Sequence, residues 1–327
     1  MADPKISPLT GRTNHESDQT HSGQGDSRCE TPIIVGIKPT AHKPPPRAPM
    51  SEISSHYENF PVASWLCPKH LRAPIAAIYA FARTADDIAD EGNAPAQQRL
   101  DDLSAFGADL MAASQARPHS GRWPQVFEPL GAMIRQFQLP VALLSDLLDA
   151  FAQDVAKTRD GAGYETHGEL LDYCSRSANP VGRLLLHLYG VSDGLSLQRS
   201  DNICTALQLI NFWQDLGTDI RNGRYYLPHQ DCAACGVSLS DLKDRRQTPN
   251  ISNLIAHQVH LARTTMRNGA ALVKNVPGRA GWELRLVVQG GLRILDKIES
   301  LKFTTLVTRP KISVWDMPVM LLRALRM

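Results

Sequence analysis

Four aspartates in this chain stand in two pairs with the same spacing. Asp86 and Asp90 are four residues apart, and so are Asp215 and Asp219. Because an α-helix turns by about 100° per residue, each spacing places both carboxylates on one face, one turn apart. Carboxylates held this close raise one another's pKa values unless a cation lies between them. Mg²⁺ suits such a site, since it takes oxygen ligands and commonly bridges carboxylates to phosphates.

The second pair belongs to a polar stripe on an otherwise apolar helix. On a helical projection, Gln208, Asn211, Asp215 and Asp219 share one side, while the other sides carry almost only apolar residues. A helix that is apolar nearly all round belongs in the interior of a protein. Its polar stripe should face a cavity, because an unpartnered carboxylate is costly to bury.

The first pair repeats this arrangement. Tyr79, Arg83, Asp86 and Asp90 align on one side of a helix, and Asp87 lies just beside them. If the two helices face each other across a cavity, four or five carboxylates converge there. We therefore predict Mg²⁺ as a cofactor, with the four paired aspartates as its ligands.

Basic and aromatic residues near these pairs point to the substrate class. Guanidinium groups donate paired hydrogen bonds to phosphate oxygens, which suits an anionic diphosphate. Aromatic faces could stabilise a carbocation. The arginines are Arg83, Arg176, Arg183 and Arg224, and the rings are Tyr79, Phe81, Phe212, Trp213, Tyr225 and Tyr226. One such aspartate pair alone is usually a solvated helix face, so the prediction of a metal–diphosphate site depends on there being two.

The elements that must position these residues are helices. From Pro68 onward, apolar residues recur with helical spacing and no sustained two-residue alternation, which predicts a single all-α bundle with a central cavity. The predicted helices are 69–91, 96–116, 123–138, 141–158, 167–189, 196–222, 239–246, 250–274 and 281–301.

Three regions differ in composition. Residues 1–52 are rich in Pro, Ser, Gly and His and are predicted to be a disordered tail. Residues 53–305 form the predicted catalytic domain, and 306–327 a C-terminal tail. Residues 312–327 combine Trp, Met and Leu with arginines, so they could pack back on the domain or lie at a membrane surface as an amphipathic helix.

The length, the net charge and the positions of the cysteines indicate where the protein is located and which classes of partner it has. The chain has 327 residues and a net charge of +2, too small to indicate a nucleic-acid partner. Its six cysteines are scattered, several inside apolar helical patterns, which favours a reducing cytosol over a disulfide framework. No secretory signal and no apolar run of about 18 residues is present. We expect a cytoplasmic protein that could contact the inner membrane face peripherally.

Several charged or reactive residues fall outside the two stripes. Asp154 is interpreted as surface charge, because its helix carries no facing aromatic set. Arg309 is interpreted as part of a solvated basic turn more readily than as a diphosphate contact. Cys232 and Cys235 are read as two ordinary thiols, since zinc would need two more ligands.

The two aspartate-rich motifs and the segment between them resemble those of a known family. YAFARTADDIAD at 79–90 and QLINFWQDLGTDIRNGRYYLP at 208–228 resemble the two aspartate-rich motifs of the squalene/phytoene synthase family. YCSRSANPVG at 173–182 is similar to the family's intervening Y-C-x-x-V-A-G-x-V-G segment. The resemblance spans residues 55–305. It implies an all-α isoprenoid-synthase fold and head-to-head prenyl chemistry on Mg²⁺-bound diphosphates.

The resemblance also implies roles for individual residues. The four paired aspartates become metal ligands. The residues expected to contact substrate are Asn59, Phe60, Arg83, Asp87, Gly182, Arg224 and Tyr226. The polar residues expected to line the cavity and act in catalysis are Tyr79, Tyr173, Asn179, Gln208 and Asn211.

Departures from the family pattern indicate a branch. Asn59-Phe60-Pro61 replaces a serine-rich entry, and Asn179-Pro180 replaces the usual Ala-Gly. No Gly-rich dinucleotide loop supports an NADPH step. This combination resembles the bacterial hydroxysqualene synthases of the hopanoid pathway. It implies that presqualene diphosphate ionises, rearranges and is captured by water, with the product handed to other enzymes of the squalene pathway.

The second departure has two interpretations. Pro180 inside the predicted helix 167–189 should kink it, since proline has no N–H and clashes with the carbonyl of Arg176. The freed carbonyl and the Asn179 amide could then hold a water molecule in an apolar cavity. A plain structural kink explains the same residues equally well.

Other functions remain open from the sequence. The chain could be a presqualene diphosphate, squalene or phytoene synthase that condenses two prenyl diphosphates head-to-head. It could also be a catalytically silent family member that acts as an assembly or membrane-partner protein, although both aspartate pairs are intact.

Overall fold

The computed structural model describes residues 67–327, and every regular element in that range is a helix. The prediction of a single all-α domain is thereby confirmed. The predicted contacts Asn59 and Phe60, like the tail 1–52, lie outside the described residues. The helices are α1 (Arg72–Asp90), α2 (Ala96–Ser114), α3 (Pro124–Phe137), α4 (Val141–Asp160), α5 (His167–Ser177), α6 (Asn179–Leu188), α7 (Gly194–Arg221), α8 (His229–Ala234), α9 (Leu239–Lys243), α10 (Pro249–Gly269), α11 (Gly278–Ser300) and α12 (Met317–Leu325).

Helix α7 is the longest helix of the described chain and lies in its interior. It begins at a cap in which Asp193 Oδ1 accepts a hydrogen bond from the Ser196 amide at 2.9 Å. Over half of its 28 residues are buried, among them Trp213, which is fully covered. Helix α10 packs along it, and Gly269 permits the approach, because a Cβ there would lie less than 3.0 Å from the Arg199 carbonyl oxygen.

The buried apolar side chains form two clusters. One is built from the four helices α1, α2, α3 and α4. Its aromatic rings pack around Phe106, whose ring centroid is 4.6 Å from that of Phe127 and 5.1 Å from that of Phe81. The other surrounds α7 and is completed by α5, α10 and α11. Phe81 therefore belongs to the core of the first cluster, where it packs α1 against α2 and α3.

The predicted helix 167–189 is wrong as a single element. Helix α5 ends at Ser177, Ala178 leaves the helical region at φ −125°, and α6 begins at Asn179. Pro180 then stands in the first turn of α6, where a missing N–H costs little. The sequence feature interpreted as a kink is thus a break, and it turns the start of α6 toward α7.

The end of the chain forms a helix that docks on α11. Asp316, just before α12, is buried and pairs with Arg293 and Lys297 of α11, each at 2.7 Å. Met320 and Ala324 of α12 are also buried. Among residues 67–327, no helix has both the length and the apolarity needed to cross a bilayer.

Candidate active site

An elongated cavity of about 540 Å³ lies between α1, α6, α7 and α11. Its walls are mostly aliphatic. Ile75 and Asp86, eleven residues apart on α1, both line it, so it extends about 16 Å along that helix at 1.5 Å per residue. Polar groups from the two predicted stripes lie toward one end: Tyr79, Asp86, Gln208 and Asn211. Arg309, from outside the stripes, also lines the cavity.

The first aspartate pair is held by an arginine of its own helix. Arg83 donates to Asp86 at 3.0 Å and pairs with Asp87 and Glu91 at 2.6 Å each. Partial burial, and then the charge of Asp90, raises the pKa of Asp86 to about 6. Arg83 and Asp87, both predicted as substrate contacts, therefore pair with each other beside Asp86, which lines the cavity.

The second pair is contacted from the far end of the chain. Arg309 pairs with Asp215 through two guanidinium nitrogens, with Nη2 at 3.2 Å from Oδ2, and the Asn211 amide donates to the same carboxylate at 3.1 Å. Burial, and then the charge of Asp215, raises the pKa of Asp219 to about 8. The expectation that Arg309 lies in a solvated turn is wrong.

The segment 305–310, which we call the strap, is partly buried and carries Arg309 to this position. The side-chain amide of Gln214 donates to the Pro310 carbonyl oxygen at 2.9 Å, and both groups are buried. One turn further along α7, Gly217 lies so close to the strap that a Cβ would clash with the Leu306 carbonyl. Gln214 is a large polar residue on one of the otherwise apolar sides of α7, and this position in the sequence is the signal that could have indicated the contact.

One arginine links the two aspartate pairs. Arg224, in the turn after α7, pairs with Asp90 of α1. Asp90 in turn contributes to the raised pKa of Asp219, which places the two pairs within electrostatic reach. The structure thus brings together α1 and the end of α7, as predicted.

The predicted convergence of four or five carboxylates is not observed. Within residues 67–327, no three Asp, Glu, His or Cys side chains come close enough to hold a cation by themselves. Arginines neutralise the carboxylates instead: Asp86, Asp90 and Asp215 each bind one. The pairs still fit Mg²⁺, because that ion is commonly held by one or two carboxylates together with substrate phosphates and water.

A half-buried acid that sequence reasoning missed lies beside the site. Asp154 of α4 accepts hydrogen bonds through Oδ2 from the hydroxyls of Tyr173, at 2.5 Å, and Tyr226, at 3.1 Å. Burial raises the pKa of Asp154 to about 6 against the opposing effect of these donors. Its interpretation as surface charge is therefore wrong, and the aromatic partners come from segments far away in sequence.

The two tyrosines sit in an aromatic stack and not on the cavity surface. Tyr173 and Tyr226 are 2% and 5% exposed. The Tyr226 ring stacks on Phe212 with centroids 3.8 Å apart. Both hydroxyls, predicted as cavity and diphosphate groups, point at Asp154, so their direct role is to fix the segment that presents Arg224.

The remaining predicted residues fall in two groups. Tyr79, Gln208, Asn211 and Gly182 line the cavity. Asn179 is buried, and its Oδ1 accepts a hydrogen bond from Thr205 of α7 at 2.9 Å, while its neighbours Ala178 and Val181 line the wall.

Two of the arginines considered for diphosphate do not join the site. Arg176 donates to Gln153 and to Asp172, each at 2.7 Å, and Arg183 forms a two-point pair with Asp201 at 2.9 and 2.6 Å. These are partly exposed contacts on the outer side of α5 and α6.

We expect strong coupling between Asp154 and Tyr173. Replacing Asp154 by Ala leaves a buried hydroxyl without its acceptor, which should cost about 1–3 kcal/mol of unfolding free energy. Tyr173→Phe should recover part of that loss in the double variant, giving a coupling of about 1 kcal/mol or more in a urea-denaturation cycle. Tyr225→Phe, the same change in the residue before Tyr226, should show no coupling to Asp154→Ala. Additive effects of the Asp154 and Tyr173 changes would contradict the assignment.

Comparison with known proteins agrees with this geometry. The model of the squalene/phytoene synthase family matches residues 53–316. A hydroxysqualene synthase of Sinorhizobium fredii is 34% identical over 254 residues, covering 77% of this chain and 82% of that protein. A phytoene synthase of Thermus thermophilus is 30% identical over 288 residues, covering 88% and 94%.

A solved structure shares the fold as well as the sequence similarity. The squalene synthase HpnC from Alicyclobacillus acidocaldarius superposes with a TM-score of 0.69 at 34% identity, covering 77% of this chain and 92% of that one. The family match extends over both aspartate pairs, the cavity and the strap that carries Arg309. With its sequence motifs, its helical architecture and its relatives in agreement, the chain belongs to the squalene/phytoene synthase family.

Proposed function

We propose that this protein converts presqualene diphosphate to hydroxysqualene and releases diphosphate, with Mg²⁺ as cofactor. The observation that carries the proposal is the placement of two arginine-bound aspartate pairs at one end of an elongated, aliphatic cavity. Relatives named hydroxysqualene synthase, at 34% and 32% identity, favour this reaction among those of the family. The hopanoid pathway is where such a reaction would serve.

The chemistry assigns distinct tasks to the two parts of the site. The C–O bond breaks and its electron pair leaves with the diphosphate; the cation rearranges, and a water oxygen then forms the new C–O bond and loses a proton. Mg²⁺ bound to the carboxylates would neutralise charge on the leaving group. Arg83, Arg224 and Arg309 would bind the diphosphate oxygens. The aliphatic walls keep other water from the cation.

The capture step needs one admitted water, and Asn179 is our candidate for holding it. Thr205 holds the Asn179 side chain where α5 and α6 separate, next to Ala178, which lines the cavity. Replacing Asn179 by Ala should lower the proportion of alcohol relative to hydrocarbon products, measured by mass spectrometry. Thr205→Val, which removes only the anchoring hydroxyl, should give a smaller shift in the same direction. An unchanged alcohol yield in Asn179→Ala would show that the position is structural.

The test of the reaction is product identification. Incubated with presqualene diphosphate and Mg²⁺, the protein should form hydroxysqualene and release diphosphate, and NADPH should change neither. Formation of squalene only when NADPH is present would contradict the proposal.

The alternative reaction is head-to-head condensation of two prenyl diphosphates. It is favoured by the phytoene synthase of Thermus thermophilus, which aligns with 88% of this chain. Farnesyl diphosphate alone discriminates the two: its consumption without added presqualene diphosphate supports condensation, and its persistence supports the proposed reaction. A chain that releases no diphosphate from either substrate would instead be a silent assembly protein.

The raised pKa values predict how metal removal acts on stability. In the metal-free fold, the raised pKa values of Asp86, about 6, and Asp219, about 8, favour protonation. Their contribution to stability is therefore present near pH 4 and is lost as the pH rises through 6 and 8. The melting temperature of the EDTA-treated protein should fall between about pH 5 and about pH 8.5.

Added Mg²⁺ should reverse this loss. Because the ion needs deprotonated carboxylates, it should raise the melting temperature more near pH 8.5 than near pH 5. Asp219→Asn should flatten the pH dependence of the EDTA-treated protein. Stability that rises across this range without metal would contradict the assignment of these two groups.

The product class also bears on partners. A long apolar alcohol is poorly hydrated, so we propose that it is handed to another enzyme of the squalene pathway at or near a membrane.

A further inference from the structure

The end of the chain presents an unusual concentration of exposed apolar side chains. We define the terminal face as Val314, Trp315, Leu321, Leu322 and Leu325. Within the described residues, Trp315 is 86% exposed, Leu325 65% and Leu322 52%. Single exposed leucines are ordinary, but neighbouring ones on one helix together with a tryptophan mark a binding surface.

The terminal face is held outward by structure and is not the frayed end of a chain. Asp316 is 3% exposed at its side chain and lies between Arg293 and Lys297 of α11. These partners hold its pKa below its usual range, although burial opposes them. Further along, Arg323 of α12 pairs with Asp296 at 2.6 Å. Met320 and Ala324 occupy the α11 side, so the leucines must project away from it.

The charges around this face suit an anionic surface. Residues 311–327 contain three basic residues, Lys311, Arg323 and Arg326, and one acid, Asp316. That acid is buried and already paired, and Arg323 is paired with Asp296, so Lys311 and Arg326 supply the exposed positive charge of this segment. Tryptophan and leucines flanked by exposed arginines are the composition of helices that lie in the interface of a bilayer. At nine residues α12 is about 14 Å long, enough to lie on a bilayer and too short to span it.

Helix α11 connects this surface to the cavity. Leu284 and Val287 of α11 line the aliphatic cavity, while Arg293 and Lys297 hold the segment that carries the terminal face. One helix thus separates a wall that suits an apolar chain from the exposed leucines. A lipid surface is a partner that could contact the exposed leucines and also supply or receive an apolar chain in the cavity.

We propose that the terminal face binds the surface of an anionic lipid bilayer. The side chains of Trp315, Leu322 and Leu325 enter the boundary between headgroups and acyl chains, while Lys311 and Arg326 contact lipid phosphates. The proposal does not depend on the reaction assigned above, since binding is measured without substrate.

The experiment is co-sedimentation of the full chain with vesicles. Wild type should bind vesicles of phosphatidylglycerol and phosphatidylcholine at least about tenfold more tightly than vesicles of phosphatidylcholine alone, and added salt should weaken binding. The double variant Leu322→Glu, Leu325→Glu should lose at least about tenfold in partitioning. Met111→Glu, which places the same charge on an exposed apolar site of α2, should bind like wild type.

Three outcomes overturn the proposal. The first is wild type that does not sediment with anionic vesicles. The second is a double variant that binds as wild type does while its circular dichroism is native. The third is a dimer in analytical ultracentrifugation that dissociates in the double variant, with Trp315 shielded from acrylamide when no vesicles are present; the terminal face would then contact a second copy. Turnover of the double variant in detergent separates a membrane defect from a catalytic one.

Discussion

Replacing Asp219 by asparagine should lower kcat by about a thousandfold, the loss typical when one group that stabilises a leaving anion is removed. Asparagine keeps the shape of the side chain but not its negative charge, so it binds a divalent cation poorly. Because burial already disfavours the charge on Asp219 in the metal-free fold, the same change should leave the melting temperature at pH 8 unchanged or raise it. Activity and stability should therefore move apart.

A second aspartate variant and a control variant test this prediction further. Asp86→Asn on α1 should lose activity to a similar extent while the helical circular dichroism stays native. Asp149→Asn makes the same change at an exposed position of α4 and should retain full activity. Near-full activity in both Asp86→Asn and Asp219→Asn would remove the metal-ligand assignment, whatever the control shows.

Gly217 should tolerate no side chain at all. A Cβ at this position of α7 would lie less than 3.0 Å from the backbone oxygen and carbon of Leu306, and backbone cannot swing aside as a side chain can. Gly217→Ala should therefore cost about 1–3 kcal/mol of unfolding free energy, as overpacking does. The strap should shift away from α7 and withdraw Arg309 from Asp215. We expect kcat/KM to fall by about tenfold or more, which corresponds to roughly 1.4 kcal/mol of transition-state binding.

A second glycine gives the matched control. Gly107 lies inside α2, and a Cβ there would meet only Leu148 Cδ1 at 3.5 Å, an ordinary contact. Gly107→Ala should be neutral or should stabilise by up to about 1 kcal/mol, since alanine is the better helix former. Equal behaviour of the two alanine variants in thermal melts and turnover would mean that the strap does not depend on its contact with Gly217.

Much of the fold follows from local pattern. The 3.6-residue periodicity predicted the helices, and two polar stripes on apolar helices predicted that α1 and α7 border one cavity. Both inferences work because helix geometry relates sequence spacing directly to a shared face. Asp86, Gln208 and Asn211 lie along the same cavity for this reason. Their roles in binding metal and substrate stay predictions.

What sequence reasoning missed depends on contacts between distant segments. Asp154 was judged by its own helix, but its two tyrosine partners stand 19 and 72 residues away. Arg309 was judged by the turn around it, while its partner lies on α7. The sequence around Pro180 predicts a kink where the structure has a break at Ala178, because a proline pattern alone does not distinguish a bent helix from two helices. In each case tertiary packing decided between local alternatives.

The arginine contacts described above have a consequence for the order of assembly. Arg224 and Asp90 are 134 residues apart in the chain, and Arg309 and Asp215 are 94 apart. Such distant pairs close large loops, so they form after the helices that carry them have docked. During synthesis, both aspartate pairs emerge before Arg309 does. The charge pairing of the site is therefore completed late, when the strap folds onto α7 and Arg309 reaches Asp215. An incomplete chain would hold the carboxylates without this last arginine.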